Sequence, residues 1–172
     1  IAWYINGHLV PEVEMRRGTT YTIQVNGGDD PELPESYHPM YLTTSSMGGY
    51  AALSPEQRAQ ETVFAGIQFD DGTTATGRQV ENFIPTAEGP ICRYESTADT
   101  QTVLADLSDY DAFIVTLDTS CTDNAAIIDN AGVLEFTPNE ETPDLIYYQC
   151  VTHPNLGWKI RVINPGASSA LR

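Results

Sequence analysis

The stretch Ile146-Tyr-Tyr-Gln-Cys-Val-Thr-His-Pro-Asn-Leu-Gly-Trp158 carries the pattern that decides the fold of this chain. It opens as an apolar strand and then places Cys150 and His153 three residues apart. A thiolate and an imidazole at that spacing can point at one centre. The stretch therefore predicts a loop between two strands, running from Tyr148 to Trp158, that holds two candidate metal ligands.

A second histidine, His38, lies far upstream in Ser36-Tyr-His-Pro-Met-Tyr-Leu42. Pro39 forces the preceding residue into extended geometry, and a fixed backbone helps to aim an imidazole. With Cys150 and His153 it completes two nitrogens and one sulfur, the trigonal donor set of a blue-copper site. The sequence predicts that these three residues bind one copper ion. The alternative is a strand histidine satisfied by a hydrogen bond, with a buried cysteine and a surface histidine in the loop.

The charge of the chain is lopsided, with 24 acidic residues against 8 basic residues and a net charge of −16. Such a surface repels phosphate backbones and anionic lipid, so we expect no nucleic-acid partner. It suits a basic partner, divalent cations or a salty exterior, or it serves solubility alone. No stretch approaches the about 18 apolar residues of a membrane-spanning helix, so we also expect no membrane insertion.

The three cysteines, Cys92, Cys121 and Cys150, are an odd number. If Cys150 is a metal ligand, Cys92 and Cys121 remain as a pair, which suggests a disulfide and an oxidising compartment. We then expect a secreted or extracellular protein. The alternative is three free thiols in a cytosolic protein.

Short strands separated by turn residues, with little helix, predict an all-β fold of the β-sandwich class. Residues 1–30 are expected to form a β-hairpin and residues 72–90 to form loops. Residues 54–61 are expected to form a short helix, capped by Ser54 with Gln57 completing a capping box.

The length of 172 residues fits one domain, or one domain with a large insertion. We expect the domain to span residues 1–164, with an insertion at roughly 47–130 that contains the short helix. Residues 165–172 are expected to form a C-terminal linker.

One isolated histidine followed by a late Cys-x-x-His resembles the ligand order of the cupredoxin superfamily. Gly132-Val-Leu-Glu-Phe-Thr-Pro138 and the following strand are similar to its last two strands and copper loop. The resemblance is closer to the cupredoxin-like domain of Skeletor-type proteins, and it rests on residues 147–160, on Phe64-Ala-Gly66 and on the Cys92/Cys121 pair. It implies a Greek-key β-sandwich, bound copper and a place in a large multidomain animal protein.

The chain departs from small blue-copper proteins at Trp158, which stands where those proteins carry an axial methionine. Indole offers only an N–H donor and no lone pair for copper. A three-coordinate site should stabilise Cu(I) and raise the reduction potential. We expect Trp158, Leu156 and Met40 to surround the ligands, with Trp158 packed in the core. Alternatively, Leu156 or Trp158 marks a site that has lost copper.

The pattern favours an extracellular domain for one-electron transfer or copper-dependent redox chemistry within a larger protein. Three histidines are too few for a trinuclear cluster, so we do not expect a turnover enzyme. The alternatives are a metal-free interaction module for a matrix partner, and an oxidase or hydroxylase component. We expect His8 to be structural or exposed, Tyr147 and Tyr148 to lie in the sheet core, and Asp70-Asp-Gly72 to form a plain turn rather than a calcium site.

Overall fold

The structure, a computed structural model, describes residues 1–69, 82–91, 94–95, 118–119 and 129–166. The predicted Cys92–Cys121 disulfide and the Asp70-Asp-Gly72 turn lie outside these residues, as does all but the first two residues of the predicted linker. No helix within the described ranges is long and apolar enough to cross a membrane.

The described elements are mostly short strands, which confirms the all-β prediction. They are β1 Tyr4–Ile5, β2 His8–Leu9, β3 Val13–Arg16, β4 Tyr21–Val25, β5 Met40–Thr43, β6 Val63–Ala65, β7 Ile67–Phe69, β8 Phe83–Pro85, β9 Tyr94–Glu95, β10 Asp118–Thr119, β11 Gly132–Phe136, β12 Leu145–Cys150 and β13 Gly157–Ile163. The short helix α1 spans Pro55–Arg58, and single 3-10 turns occur at Pro34–Ser36 and Tyr50–Ala52.

Two layers of sheet enclose the main core, as predicted for a β-sandwich. One layer has the strand order β3-β13-β12-β5-β6, with β3 parallel to β13 and the other pairs antiparallel. The other layer is the antiparallel pair β4 and β11. Because side chains alternate along a strand, every second residue of each layer faces the other layer. The fully buried members include Met15, Val25, Met40, Leu42, Leu134, Ile146, Tyr148, Ile160 and Val162.

The prediction of a single hairpin over residues 1–30 is wrong in part. β1 and β2 do form a hairpin around the Asn6-Gly7 turn. β3 and β4, however, lie in different layers, because β3 pairs with β13 and β4 pairs with β11. Met15 of β3 and Val25 of β4 are thereby buried in the same core from opposite sides. Burial of both strands in one core overrides the local turn at Arg17-Gly18.

Two further elements test the predictions for residues 54–90. α1 has the predicted capping box, with Ser54 accepting from the Gln57 backbone and Gln57 accepting from the Ser54 backbone, but it is shorter than predicted. The prediction of loops over residues 72–90 is wrong at β8, which pairs with β7. Phe83 of β8 packs its ring edge-on against Tyr50 at 5.1 Å between centroids. The packing of this partly buried ring against Tyr50 favours a strand at Phe83–Pro85 within a stretch rich in proline and glycine.

A second apolar cluster covers the opposite face of the five-stranded layer. Its buried members are Tyr41, Tyr50, Val63, Ile67, Phe69 and Val151. Beside it lies a buried carboxylate, since Glu61 is only 7% exposed. The hydroxyls of Tyr41 and Thr43 donate to the same Glu61 oxygen at 2.7 and 2.5 Å. Burial raises the pKa of Glu61 above its usual value, although these two hydrogen bonds oppose the effect.

Glu61→Gln should change how stability depends on pH. A raised native pKa means that protonated Glu61 stabilises the fold below about pH 4.5, and that this contribution is lost as the pH rises through the native pKa. The unfolding free energy of the parent protein relative to Glu61→Gln should therefore fall between pH 4 and pH 7. Urea unfolding at several pH values measures this difference, with Glu135→Gln as an exposed control. A difference that does not vary with pH would contradict it.

Gly66→Ala should destabilise the protein because Gly66 separates β6 from β7 at a φ of +89°. A Cβ at this position would lie 2.3 Å from the Met40 carbonyl oxygen. We expect a loss of about 2 kcal/mol or more in unfolding free energy. Gly7→Ala is the matched control, since Gly7 has a φ of +81° but nothing within 4 Å of an added Cβ; it should cost about 1 kcal/mol. Equal losses in the two variants would refute the steric explanation.

Candidate metal centre

The strand β12 carries Cys150 to the end of the five-stranded layer. The prediction that the ligand loop begins at Tyr148 is wrong, because the ladder continues to Gln149 opposite Gly157 and to Cys150 opposite Met40. The loop itself is limited to residues 151–156. Cys150 is therefore the last residue of β12, the central strand of the five-stranded layer, and its side chain is fully buried.

His38 reaches the same place from the start of β5. Its backbone N–H donates to the Gly27 carbonyl at 2.7 Å, and the Pro39 carbonyl accepts from Val151 at 2.9 Å. Both bonds attach the histidine segment to neighbouring chain, so Pro39 is not the sole constraint on its backbone. His38 is 2% exposed, whereas His153 in the loop is half-buried.

The three predicted ligands come together. The two Nδ1 atoms of His38 and His153 lie 3.1 Å apart, and each lies 3.8 Å from Cys150 Sγ. These three atoms form a triangle with sides of 3.1, 3.8 and 3.8 Å, and its centre lies about 2.1 Å from each atom. That distance is close to the ~2.0–2.3 Å of metal–nitrogen and metal–sulfur bonds. Within the described residues this is the group of side chains that could hold a metal ion.

Hydrogen bonding assigns the tautomer of His38. Its Nε2 lies 3.2 Å from the Glu35 carbonyl oxygen, which can only accept, so Nε2 carries the hydrogen. In the neutral ring Nδ1 then has a free lone pair, and Nδ1 is the atom that faces Cys150 and His153. An outer hydrogen bond of this kind is what orients a metal-binding imidazole.

The electrostatics of the metal-free site favour neutral side chains. Burial lowers the pKa of His38; the hydrogen bond to the Glu35 carbonyl opposes this effect, and the neighbouring His153 adds to it. Burial also raises the pKa of the Cys150 thiol, an effect that the Thr152 side chain and the backbone N–H groups of His153 and Thr152 partly offset. A bound cation would favour the thiolate, so metal binding should release a proton.

A segment that sequence reasoning missed supports the ligand loop. The N–H groups of Gly49 and Ala51 donate to the carbonyls of Cys150 and Val151, each at 2.9 Å. The N–H of Asn155 donates to Met47 at 2.6 Å. The Gly48-Gly49 pair is the feature of the sequence that could have indicated this support. Both residues have positive φ, and an added Cβ at Gly49 would lie 2.9 Å from the Pro154 backbone nitrogen.

The residues predicted to surround the ligands differ in their placement. Met40 is 2% exposed and pairs directly with Cys150, and the Leu156 carbonyl accepts from the Cys150 N–H at 2.8 Å. The prediction that Trp158 packs in the core is wrong, since it is 45% exposed and lies against the Lys159 ammonium. Trp3 packs on the core instead and donates its indole N–H to Leu156.

The prediction for His8 is confirmed, and the prediction that Tyr147 and Tyr148 lie in the sheet core is confirmed for Tyr148 alone. His8 is exposed and lies on β2, in the hairpin with β1. Tyr148 is 1% exposed in the sheet core, whereas Tyr147 is half-buried.

Over 163 residues, or 94% of its length, the chain is 36% identical to Protein Skeletor, isoforms B/C, of Drosophila melanogaster. It has the same identity over the same share of its length with isoforms D/E. This chain is related to a segment of Skeletor. It spans 19% of the length of isoforms B/C and 10% of isoforms D/E. No family model matches the chain, and no solved structure matches it.

The Skeletor-like relationship predicted from residues 147–160, from Phe64-Ala-Gly66 and from the Cys92/Cys121 pair is thus confirmed. Membership of the cupredoxin superfamily stays a prediction, since it rests on the resemblance of the ligand order and the two-layer fold alone.

The burial of Cys150 predicts slow alkylation. In the native metal-free protein the thiol is inaccessible and its pKa is raised, so iodoacetamide at pH 7 should modify it at least about 100-fold more slowly than in the unfolded chain. Peptide mass spectrometry separates Cys150 from Cys92 and Cys121 and gives its rate. Similar rates in native and urea-unfolded protein would show that the thiol is not enclosed.

Proposed function

We propose that this chain is a cupredoxin-like domain that binds one copper ion through His38, Cys150 and His153 and takes part in one-electron transfer. The observation that carries the proposal is the triangle of two imidazole nitrogens and one sulfur, whose dimensions match metal–ligand bond lengths.

The donor set favours copper over the commoner alternatives. Structural zinc sites normally use four protein ligands, and magnesium and calcium prefer oxygen. Two imidazoles with one thiolate, buried in a β-sandwich, are the ligands of blue-copper electron-transfer sites. Copper would supply the one-electron couple, and the protein's part is to hold the ligands in one arrangement through backbone hydrogen bonds on three sides.

The wider setting of the domain is also part of the proposal. The chain corresponds to a minor share of the Skeletor proteins, so its redox chemistry would serve a larger multidomain protein. A Cys92–Cys121 disulfide would fit a secreted or extracellular location. The net charge of −16 favours a basic redox or matrix partner.

A metal-free interaction module on the same fold is the second candidate. The observation in its favour is Trp158, an exposed aromatic residue at the position where small blue-copper proteins carry their axial methionine. Exposed tryptophan is common at protein interfaces. In that case the strongly acidic surface would select the partner.

Titration of the reduced protein with Cu(II) under anaerobic conditions separates the two candidates. We expect an intense sulfur-to-copper charge-transfer band that saturates at one equivalent, with a matching EPR signal. Cys150→Ser should abolish the band although Cys92 and Cys121 remain. His38→Ala should weaken copper binding by about tenfold or more.

His8→Ala is the matched control, because it removes an exposed histidine and should leave the titration unchanged. The absence of a band in the parent protein, together with absence of tight Cu(I) binding, would refute the copper site and leave the interaction module.

A further inference from the structure

Thr152 places a fourth heteroatom beside the three ligands. Its hydroxyl oxygen lies 3.2 Å from Cys150 Sγ and 2.9 Å from His153 Nδ1. The same oxygen lies 2.6 Å from the carbonyl oxygen of Tyr37, the residue that precedes His38. Thr152 therefore touches two of the ligands and the backbone next to the third.

The Thr152 hydroxyl donates its hydrogen to a backbone carbonyl oxygen. A carbonyl oxygen can only accept a hydrogen bond, so the short contact to Tyr37 requires Thr152 to donate its single hydrogen there. The hydroxyl lone pairs are then the part of Thr152 available to the site. This orientation is held by the same segment that positions His38, so it is built into the fold.

We propose that Thr152 Oγ1 is the fourth donor of the metal site, a weak oxygen ligand added to His38, Cys150 and His153. This inference rests on the proposed copper site. The residue at the usual axial position, Trp158, has no lone pair to offer, and it is 45% exposed. Glutamine and backbone oxygens serve as weak axial donors in blue-copper sites, so an oxygen donor suits the position chemically.

An oxygen donor has a definite effect on the redox couple. Oxygen is harder than thioether sulfur and favours Cu(II) over Cu(I). The sequence alone predicted a three-coordinate site with a raised reduction potential. With Thr152 as the fourth donor, the potential is lower than that of the three-coordinate site.

Thr152→Val and Thr152→Ser form the test pair. Valine keeps the shape of threonine and removes the oxygen, whereas serine keeps the oxygen and removes the methyl group. Cu(II)-loaded parent protein and both variants are compared by EPR, by the charge-transfer spectrum and by reduction potential. We expect Thr152→Val to shift the balance about tenfold toward Cu(I), which is 59 mV for a one-electron couple, and to change the copper hyperfine splitting. Thr152→Ser should stay close to the parent protein in both readouts.

Two controls make the result decisive. Near-ultraviolet circular dichroism of the metal-free variants checks that the fold is kept. Met40→Leu removes the thioether that lies opposite Cys150 in the ladder while conserving volume. Because Met40 lies beside the ligands, this variant tests its sulfur as the competing fourth donor, and the shift toward Cu(I) should be absent if Thr152 is the donor.

The outcomes separate the failure of this inference from the failure of the copper site. If the parent protein shows neither a charge-transfer band nor tight Cu(I) binding, both proposals fall. If the parent binds copper but Thr152→Val leaves its EPR and potential unchanged, only the role of Thr152 is refuted. The same holds if Thr152→Ser shifts as much as Thr152→Val, or if Met40→Leu produces the shift instead.

Discussion

The pairing of β12 with β5 on one side and β13 on the other is the constraint on which the site depends. This central position gives Cys150 a regular ladder partner, Met40, and a buried side chain. His38 lies two residues before β5, and the turn from β12 to β13 contains His153. Two neighbouring pairs of strands thus bring together three side chains that are separated by up to 115 residues.

Hydrogen bonds at the end of the sheet convert this proximity into a defined geometry. The Pro39 carbonyl accepts from Val151, and the Cys150 carbonyl accepts from Gly49, so the ligand loop is held on both faces. Glu35 orients the His38 ring, and Tyr37 orients the Thr152 hydroxyl. Side chains held by such hydrogen bonds need little rearrangement when a charge changes, and this would suit the proposed one-electron chemistry.

Long-range burial overrides local signals in several places. Residues 1–30 contain good turn sequences, yet β3 and β4 separate into two layers because Met15 and Val25 must both reach one core. Trp158 has the alternation of a core strand, yet its indole lies at the surface while Trp3 packs on the core. Alternation along a strand predicts which face of the sheet a side chain occupies. It does not predict which of two aromatic rings is buried at the edge of the core.

The sequence by itself determined the all-β class and singled out His38, Cys150 and His153 as candidate metal ligands. These follow from local chemistry: strand alternation, turn residues, and the few residue types that can bind a transition metal. Only the tertiary structure decided that the two Nδ1 atoms face each other at 3.1 Å, that Gly48-Gly49 supports the loop, and that Thr152 presents its oxygen to the site. Those features depend on contacts between segments far apart in the chain, and the periodicity of one segment carries no information about the hydrogen bonds it makes with another.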